Sequence, residues 1–174
     1  MRSIHFHLAL PAGDGPAAFD AVVDFTRYPS LSPDVRSVVT REITAPGDLR
    51  SDWVMNFRRG IMSWTERERL DRDRLRVEFA QVDGDFEDFR GSWQFMPGTG
   101  GVEVVLDVTY DFGVESLVGI MDPIAERVIK RSTLRVLTGL FGEVEVLAGA
   151  EALVDFPAID PGPSVPLSSP SIRS

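Results

Sequence analysis

The sequence predicts an α+β fold in which a curved, seven-stranded antiparallel sheet wraps around one long C-terminal helix, with short helices after the first strand. Three observations predict it. The N-terminal residues alternate between apolar and polar side chains, which is the period of a half-buried strand. Six further strand-like segments follow, separated by short turn signals. Near the C-terminus, apolar side chains recur at helical spacing.

The first strand is predicted over residues 2–10, where every second residue from Ile4 to Leu10 is apolar on one face. A turn cluster rich in proline and glycine follows it. Asp14 is a candidate N-cap for a helix that Pro16 helps to open, since proline suits the first helical turn. The helix is expected over residues 17–26, with Pro29 ending it and residues 28–33 forming a bent connection.

The next six segments are predicted as strands of an antiparallel meander, because the turns between them are as short as hairpin loops. The last of them alternates most regularly, from Val102 to Phe112 on its apolar face. The predicted strands are 35–45, 49–59, 61–70, 74–82, 87–96 and 102–113.

A long amphipathic helix is predicted to begin at Asp122-Pro123, a capping carboxylate followed by proline at the first helical position. Apolar residues continue at helical spacing as far as Leu147, and residues 114–121 are left as an apolar connection that could act as a gate. A twisted sheet with one apolar face must be covered, and this helix is the only element large enough to cover it. A cavity between sheet and helix is a normal place for a small molecule.

The length allows one domain, predicted over residues 1–150 of the 174. Residues 151–174 are expected to form a flexible tail. The last twenty residues hold five of the twelve prolines and five serines, a composition that cannot bury enough apolar surface to offset ordering.

Composition excludes several classes of protein. The chain has no cysteine, which excludes disulfides, thiolate nucleophiles, zinc fingers and iron–sulfur clusters. A net charge of −9 makes nucleic acid and anionic membranes poor partners, because both require clustered basic residues. No apolar run is long enough to span a bilayer, and no secretory signal is seen. We therefore expect a cytoplasmic protein.

Three short motifs carry a resemblance to a known family. They are Phe25-Thr26-Arg27-Tyr28-Pro29 after the first helix, Trp64-Thr65-Glu66-Arg67 on the fourth strand and Gly91-Ser92-Trp93-Gln94-Phe95 on the sixth. Together with the closing helix, they resemble the START-like, helix-grip (SRPBCC) superfamily, and within it the polyketide cyclase/dehydrase (aromatase/cyclase) group, with coenzyme-Q-binding proteins alongside. The similarity covers residues 1 to about 148.

The resemblance implies a catalytic pair on the fourth strand. The aromatase/cyclase pattern looks like a hydroxyl residue two positions before an arginine, both facing the pocket, which here matches Thr65 and Arg67. Arg67 would stabilise an enolate or ketone oxygen through charge-assisted hydrogen bonds, and Thr65 would hold a water or relay a proton. The alternative is an exposed strand face with cross-strand ion pairs. Neither face of the segment is plainly apolar, so periodicity does not decide which one points inward.

Aromatic residues are the candidates for binding a planar substrate. Trp53, Trp64 and Trp93 could line the pocket, although ordinary core packing is the alternative for each tryptophan. Tyr28 lies at the helix-to-loop corner, near the expected mouth of the pocket, and could instead hold the loop before Pro29. Tyr110 lies on the apolar face of its strand, and a buried phenol needs a partner.

Three weaker candidates complete the predicted substrate site. Asn56 and Arg58 are polar residues on the strand 49–59, and Phe86 lies at a hairpin tip where it could cover the entrance to the cavity. The acidic residues around Phe86 lack the spacing of an EF-hand loop and are expected to be solvated. His5 and His7 share a strand face without a visible third ligand, so no metal site is predicted.

The function expected from this resemblance is a cofactor-independent polyketide cyclase/dehydratase. It would guide intramolecular aldol cyclisation and dehydration of a reactive polyketide in the cavity. No metal, nucleotide or flavin is implied. An acyl carrier protein is a further candidate partner, and the protein is expected to be a monomer or homodimer. The alternatives are a non-catalytic binding or transport module for a quinone, lipid or other apolar molecule, and a regulatory protein that binds another protein.

Overall fold

An eight-stranded antiparallel sheet forms most of the molecule, in a computed structural model that describes residues 1–11, 13–43, 45–58 and 60–153. The strand order is β2-β3-β4-β5-β6-β7-β1-β8, so β1 lies between β7 and the short edge strand β8. The strands are β1 (Arg2–Leu10), β2 (Val35–Glu42), β3 (Asp48–Phe57), β4 (Gly60–Asp71), β5 (Arg76–Gly84), β6 (Asp88–Gly98), β7 (Gly101–Asp111) and β8 (Glu145–Ala148). The helices are α1 (Gly15–Val22), α2 (Tyr28–Leu31) and α3 (Glu115–Phe141), with 3-10 helices at Phe25–Arg27 and Ala150–Leu153.

The α+β class and the sheet around a long C-terminal helix are confirmed, with eight strands where seven were predicted. The first strand has the predicted ends, and each later predicted strand begins and ends within three residues of the observed one. The alternation that predicted β1 and β7 also gives their buried faces. Ile4 pairs with Val108 and Leu8 with Val104, and all four side chains are buried. We call the sheet face that carries these residues the inner face.

The first helix begins as its capping signal predicts. The Asp14 carboxylate accepts a hydrogen bond of 2.7 Å from the backbone N–H of Ala17, and Pro16 occupies the first turn. The helix is shorter than predicted and ends at Val22. Residues 28–33 are not simply a bent connection, because Tyr28–Leu31 form the one-turn helix α2 with Pro29 in its first turn.

The long helix α3 begins at Glu115, so the predicted start at Asp122-Pro123 is wrong. Pro123 lies inside the helix, and residues 115–121, predicted to be a connection, form its first turns. Proline lacks an N–H and therefore cannot bond to the carbonyl four residues earlier. On the strand beneath, the Tyr110 hydroxyl donates a 2.7 Å hydrogen bond to the Asp122 carbonyl, which ties this part of α3 to β7.

The end of α3 also differs from the prediction. Gly142 has a φ of +83°, a conformation that glycine adopts without steric cost, and the helix ends just before it. Residues 145–148, predicted as the last helical turn, pair instead with β1 as β8. Gly139 allows close packing of α3 on α2, because a Cβ there would come within 2.7 Å of Leu31 Cδ2.

The inner face of the sheet packs against α3 and forms the hydrophobic core. The helix buries Ala125, Val128, Val136 and Leu137. The single lysine of the chain, Lys130, is also buried and donates a 2.8 Å hydrogen bond to Glu126. None of the described helices is long and apolar enough to cross a membrane. Of the predicted tail 151–174, residues 151–153 belong to the last 3-10 helix and residues 154–174 lie outside the described residues.

Asp34 joins the segment between α2 and β2 to the long helix. Its carboxylate accepts hydrogen bonds of 2.8 and 2.9 Å from the guanidinium of Arg131, and Arg135 lies 3.4 Å away. Asp34 is only 9% exposed. A partly buried, bidentate carboxylate–arginine pair is stronger than a surface pair, and loss of one partner leaves the other charge poorly solvated.

We expect Asp34→Ala to lower the free energy of unfolding by about 2 kcal/mol, since it leaves two arginines without their shared carboxylate. Denaturant unfolding followed by circular dichroism measures this. The matched control is Asp20→Ala, which removes a similarly bidentate pair with Arg72 from an exposed position and should cost clearly less, because solvent screens the pair. Equal losses in the two variants would show that the Asp34 contact contributes no more than a surface pair.

Candidate functional site

A cavity lies between the inner face of the sheet and α3, with a volume of about 90 Å³. It is smaller than the roughly 300–1,000 Å³ typical of ligand pockets, so a ligand must be small or must displace side chains of the wall. Most of the wall is aromatic or aliphatic. The lining residues are Phe25, Tyr28, Val35, Trp53, Met55, Trp64, Glu66, Phe79, Phe89, Trp93, Leu106, Val108, Ile129, Ser132, Thr133 and Val136.

Stacked tryptophans form one side of this wall. Trp53 and Trp64 are directly paired across β3 and β4, with ring centroids 6.0 Å apart and planes inclined by 2°. The rings of Tyr28 and Trp53 pack in a T-shaped arrangement, with centroids 5.6 Å apart. Of the predicted binding residues, Tyr28, Trp64 and Trp93 therefore lie in the wall. Their rings provide a flat apolar surface suited to a planar ligand.

Tyr28 also has the structural contact that the sequence left open as its alternative. Its hydroxyl donates a 2.6 Å hydrogen bond to the Val22 carbonyl at the end of α1. Burial raises the pKa of the phenol, and the nearby Glu66 carboxylate raises it further. The Tyr28 hydroxyl is therefore protonated and already engaged, and only its oxygen lone pairs remain for a ligand.

The orientation of β4 corrects the predicted catalytic pair. Side chains alternate along the strand, and the buried inner set is Met62, Trp64, Glu66 and Glu68. Thr65 and Arg67 point to the outer face, so the prediction that they face the cavity is wrong. The Thr65 hydroxyl donates a 2.6 Å hydrogen bond to Asp52, and Arg67, with its side chain 50% exposed, forms an ion pair with Asp48. These contacts are the cross-strand pairs expected of an exposed strand face.

Asn56 and Arg58 also lie away from the cavity, so their predicted role in substrate binding is not supported by their position. Asn56 points to the outer face of β3 and donates a 3.0 Å hydrogen bond to the Pro33 carbonyl. Arg58 is exposed in the turn that follows β3.

Tyr110 and Phe86 are buried but are not among the residues that line the cavity. The Tyr110 hydroxyl is used by the Asp122 carbonyl, and burial raises its pKa. Phe86 packs against Phe89 and Phe112, with centroids 4.7 and 5.1 Å away. Phe86 is 4% exposed, so it is a core residue rather than an open cover at the hairpin tip.

Two glutamates that sequence reasoning did not select occupy the inner face of β4. Glu66 lines the cavity and is 5% exposed, and Glu68 lies two residues further along the same face and is fully buried. The indole N–H of Trp64 donates a 2.8 Å hydrogen bond to Glu66 Oε2. A β-bulge interrupts the pairing of β4 with β5 between Thr65 and Glu66. Bulges of this kind redirect side chains and are frequent beside active sites.

Several buried polar atoms around these glutamates have no hydrogen-bond partner among the described residues. They are both carboxyl oxygens of Glu68, the hydroxyl of Ser51 and the indole nitrogen of Trp53. Ser51 pairs directly with Glu66 across the strands, and Trp53 is the next inner residue of β3. Unsatisfied polar groups are rare in protein interiors, and here they are concentrated around Glu66, which lines the cavity.

The pKa of each carboxyl is raised, and that of Glu66 is raised more strongly. Burial raises the pKa of Glu66 well above its usual range, and the charge of Glu68 raises it further, while the Trp64 hydrogen bond opposes the shift. Burial also raises the pKa of Glu68, but the nearby Ser51 hydroxyl and Glu66 carboxyl favour its charged form. Glu66 is therefore the carboxyl that holds its proton more strongly, and Glu68 the one that ionises more easily.

The sequence held a signal for the correct face, although it is not local to β4. The apolar face of β3 carries Trp53, Met55 and Phe57, and a short hairpin brings β4 back beside it. In that hairpin Met55 pairs with Met62 and Trp53 with Trp64. Pairing the large apolar residues across the turn places residues 64, 66 and 68 inside.

The wall has the chemistry of an acid in an apolar pocket. Glu66 is the only residue with a carboxyl or a basic side chain among the described residues that line it. Within the described residues, no group of three or more His, Asp and Glu side chains is placed to hold a metal ion.

Comparison with protein families places this cavity in a known context. Residues 16–136 match the model of the family described as polyketide cyclase / dehydrase and lipid transport. This match covers more than half of the chain. The protein belongs to the polyketide cyclase/dehydrase and lipid transport family. The matched region runs from α1 into α3 and includes every described residue of the cavity wall.

Solved structures share the helix-grip fold with this family member. TTHA0849 from Thermus thermophilus is 24% identical with a TM-score of 0.69, over 80% of this chain and 94% of that chain. The Zhui aromatase/cyclase from Streptomyces sp. R1128 is 16% identical with a TM-score of 0.66, over 81% and 93%. Ginseng major latex-like protein 151 from Panax ginseng is 14% identical with a TM-score of 0.58, over 79% and 97%. Comparison with curated proteins found no match.

The two buried carboxyls predict how stability depends on pH. Each has a higher pKa in the folded protein than in the unfolded chain, where a glutamate titrates near about 4.3. The folded state thus binds more protons above that pH, and the stability from these groups is lost as the pH rises towards their folded pKa. We expect a slope of at most about −1.4 kcal/mol per pH unit for each proton.

Urea unfolding between about pH 5 and pH 8 measures this dependence in the wild type and in Glu66→Gln/Glu68→Gln. The variant should lose less stability than the wild type as the pH rises, because it cannot ionise at these positions. Glu78→Gln, which changes an exposed glutamate on β5, is the matched control and should follow the wild type. Parallel curves for the double variant and the wild type would contradict the raised pKa of these two carboxyls.

Proposed function

We propose that this protein is a cofactor-independent cyclase/dehydratase that guides intramolecular aldol cyclisation and dehydration of a small polyketide-like substrate. The observation that carries the proposal is Glu66, a buried and protonated carboxyl in the wall of an otherwise apolar, aromatic cavity. A carboxylic acid kept neutral by burial donates a hydrogen bond to a carbonyl oxygen, or a proton to a leaving hydroxyl. This role replaces the one that the sequence assigned to Arg67.

The aromatic wall supplies the second requirement of the reaction. A flexible chain of ketones can cyclise in several ways, and the catalyst must hold one folded conformation. Trp64, Trp93 and Tyr28 enclose the space next to Glu66 from β4, β6 and α2. In the proposed complex these rings fold the substrate so that one carbonyl meets the Glu66 carboxyl. Exclusion of water by the same rings strengthens the hydrogen bond to the developing oxyanion.

The size of the cavity limits the substrate. At about 90 Å³, it favours a product of one or two rings over a long fused system, unless wall side chains move. An acyl carrier protein as partner, the oligomeric state and the cytoplasmic location stay predictions.

A non-catalytic binding module is the second candidate, and the composition of the wall favours it. Apart from Glu66, the polar side chains of the wall are Tyr28, Ser132 and Thr133, and Tyr28 is engaged by the protein itself. Such a surface also suits storage or transport of an apolar molecule, with Glu66 anchoring one polar group.

An aryl-substituted δ-diketone distinguishes the two candidates, because its intramolecular aldol condensation gives an absorbing cyclohexenone. We expect the wild type to accelerate its formation over the buffer reaction. Glu66→Gln, which keeps the shape but not the acid, should lose about 100-fold or more of this acceleration. Quenching of tryptophan fluorescence measures binding of the same diketone in both proteins.

Two further variants complete the test. Glu78→Gln, an exposed Glu-to-Gln change, should retain wild-type activity. Loss of activity in Arg67→Gln with full activity in Glu66→Gln would restore the sequence-based assignment and overturn the role of Glu66. Tight binding of the diketone without acceleration by the wild type would favour the binding module.

A further inference from the structure

Glu68 is the strongest feature of the molecule that the proposed function does not use. It is fully buried and shares the inner face of β4 with Glu66. Its carboxyl oxygens have no hydrogen bond of normal geometry among the described residues, although Ser51 and Trp53 lie near enough to favour its charged form. A charged or neutral carboxyl in this condition is destabilising. An apolar residue at this position would avoid that penalty, so the retained carboxyl requires an explanation beyond packing.

We propose that Glu66 and Glu68 hold one proton between them and that Glu68 acts as a positioning residue, so that Glu66 meets the substrate alternately as a base and as an acid. The inference rests on the proposed function and names its reaction class, the elimination of water from a β-hydroxy ketone. Glu66 is the group that touches the substrate, since it lines the cavity and Glu68 does not.

The geometry of the strand supports a shared proton. Residues two apart on a strand lie on the same face, so the two carboxyls are neighbours without an intervening side chain. Two carboxyls in one apolar site do not both ionise readily, and the loss of the first proton makes the second harder to remove. Their difference in proton affinity has a structural origin as well, because Ser51 and Trp53 lie beside Glu68 and favour its charged form.

No basic side chain is among the described residues that line the cavity beside Glu66. From β3 the pair faces Ser51 and Trp53, and from α3 the cavity receives Ser132 and Thr133, all of them uncharged. The titratable neighbour is Tyr28 from α2, whose pKa is raised by burial and by Glu66, with a contribution from Asp24. Arg131 and Arg135 of α3 bind Asp34.

The elimination balances with this pair alone. In the resting pair Glu66 carries the shared proton, and it first passes this proton to Glu68. The Glu66 carboxylate then removes the proton next to the ketone, and the C–H electrons form an enolate. Glu66 then carries that proton and gives it to the β-hydroxyl as the C–O bond breaks. Water leaves with the C–O electrons, the enolate collapses to the conjugated C=C bond, and the pair returns to its starting state. No oxidant, reductant or further acid is consumed.

The titration of the ligand-free, full-length protein tests the pair without any substrate. Trp64 is bonded to Glu66 and stacked on Trp53, so tryptophan fluorescence reports ionisation of the pair. We expect two transitions in the wild type, separated by more than about one pH unit. Glu66→Gln and Glu68→Gln should each show a single transition, below the upper transition of the wild type. Glu68→Asp, which keeps a carboxyl, should restore two.

A wild-type curve equal to the sum of the two single-variant curves would overturn the pair, because independent carboxyls do not influence one another.

The dehydration step is followed separately with the aldol adduct of acetone and benzaldehyde, which gives benzalacetone. Glu68→Gln should slow this dehydration and remove one limb of the bell-shaped dependence of its rate on pH. Glu68→Asp should keep both limbs. An unchanged profile in Glu68→Gln would overturn the positioning role. Two coupled transitions without any dehydration by the wild type would instead show that the proposed function fails while the shared proton stands.

Discussion

The pairing register of β3 and β4 determines the chemistry of the cavity. Side chains alternate strictly along a strand, so Glu66, two residues after Trp64, must lie on the same face as Trp64. Trp53 stacks on Trp64, and Met55 lies opposite Met62, which fixes the register through large apolar contacts. A shift of one residue would place Arg67 inside and the carboxyls outside. The aromatic contacts therefore decide that acids, and not guanidinium groups, face the interior.

The rest of the fold offsets the cost of burying the Glu66 and Glu68 carboxyls. β1 and β7 are paired over their whole length and bury a continuous apolar face against α3. The ion pairs of Asp34 with Arg131 and Arg135 tie the helix to the segment before β2. The unsatisfied atoms found among the described residues are gathered on Ser51, Trp53 and Glu68 instead of being scattered. Proteins concentrate such local conflicts where function requires them.

Much of the fold could be predicted from sequence because its strongest signals are local. The alternation from Ile4 to Leu10 predicted β1 and its buried face, and the turn that contains Asp14 and Pro16 predicted the start of α1 within two residues. The predicted start of α3 was wrong because Asp122-Pro123, a signal for a helix start, lies inside this helix. The prediction of which face of β4 points inward failed for a different reason. Its two sets of side chains are similarly polar, and the deciding information is the partner strand, which periodicity within one segment does not contain.

The hydrogen-bonding groups of the cavity that the protein does not already use limit which ligands can bind there. The hydroxyl of Tyr28 and the indole N–H of Trp64 are donated to the protein, and the Ser132 hydroxyl lies 3.4 Å from Asp34. Among the described residues, the donors left beside Glu66 are the Ser51 hydroxyl, the Trp53 indole and a protonated Glu66. With Glu66 protonated, the wall therefore suits a ketone oxygen. With Glu66 ionised, it suits a group that gives up a proton. A wall that changes its preference with one proton matches a reaction in which the substrate first loses a proton and then receives one.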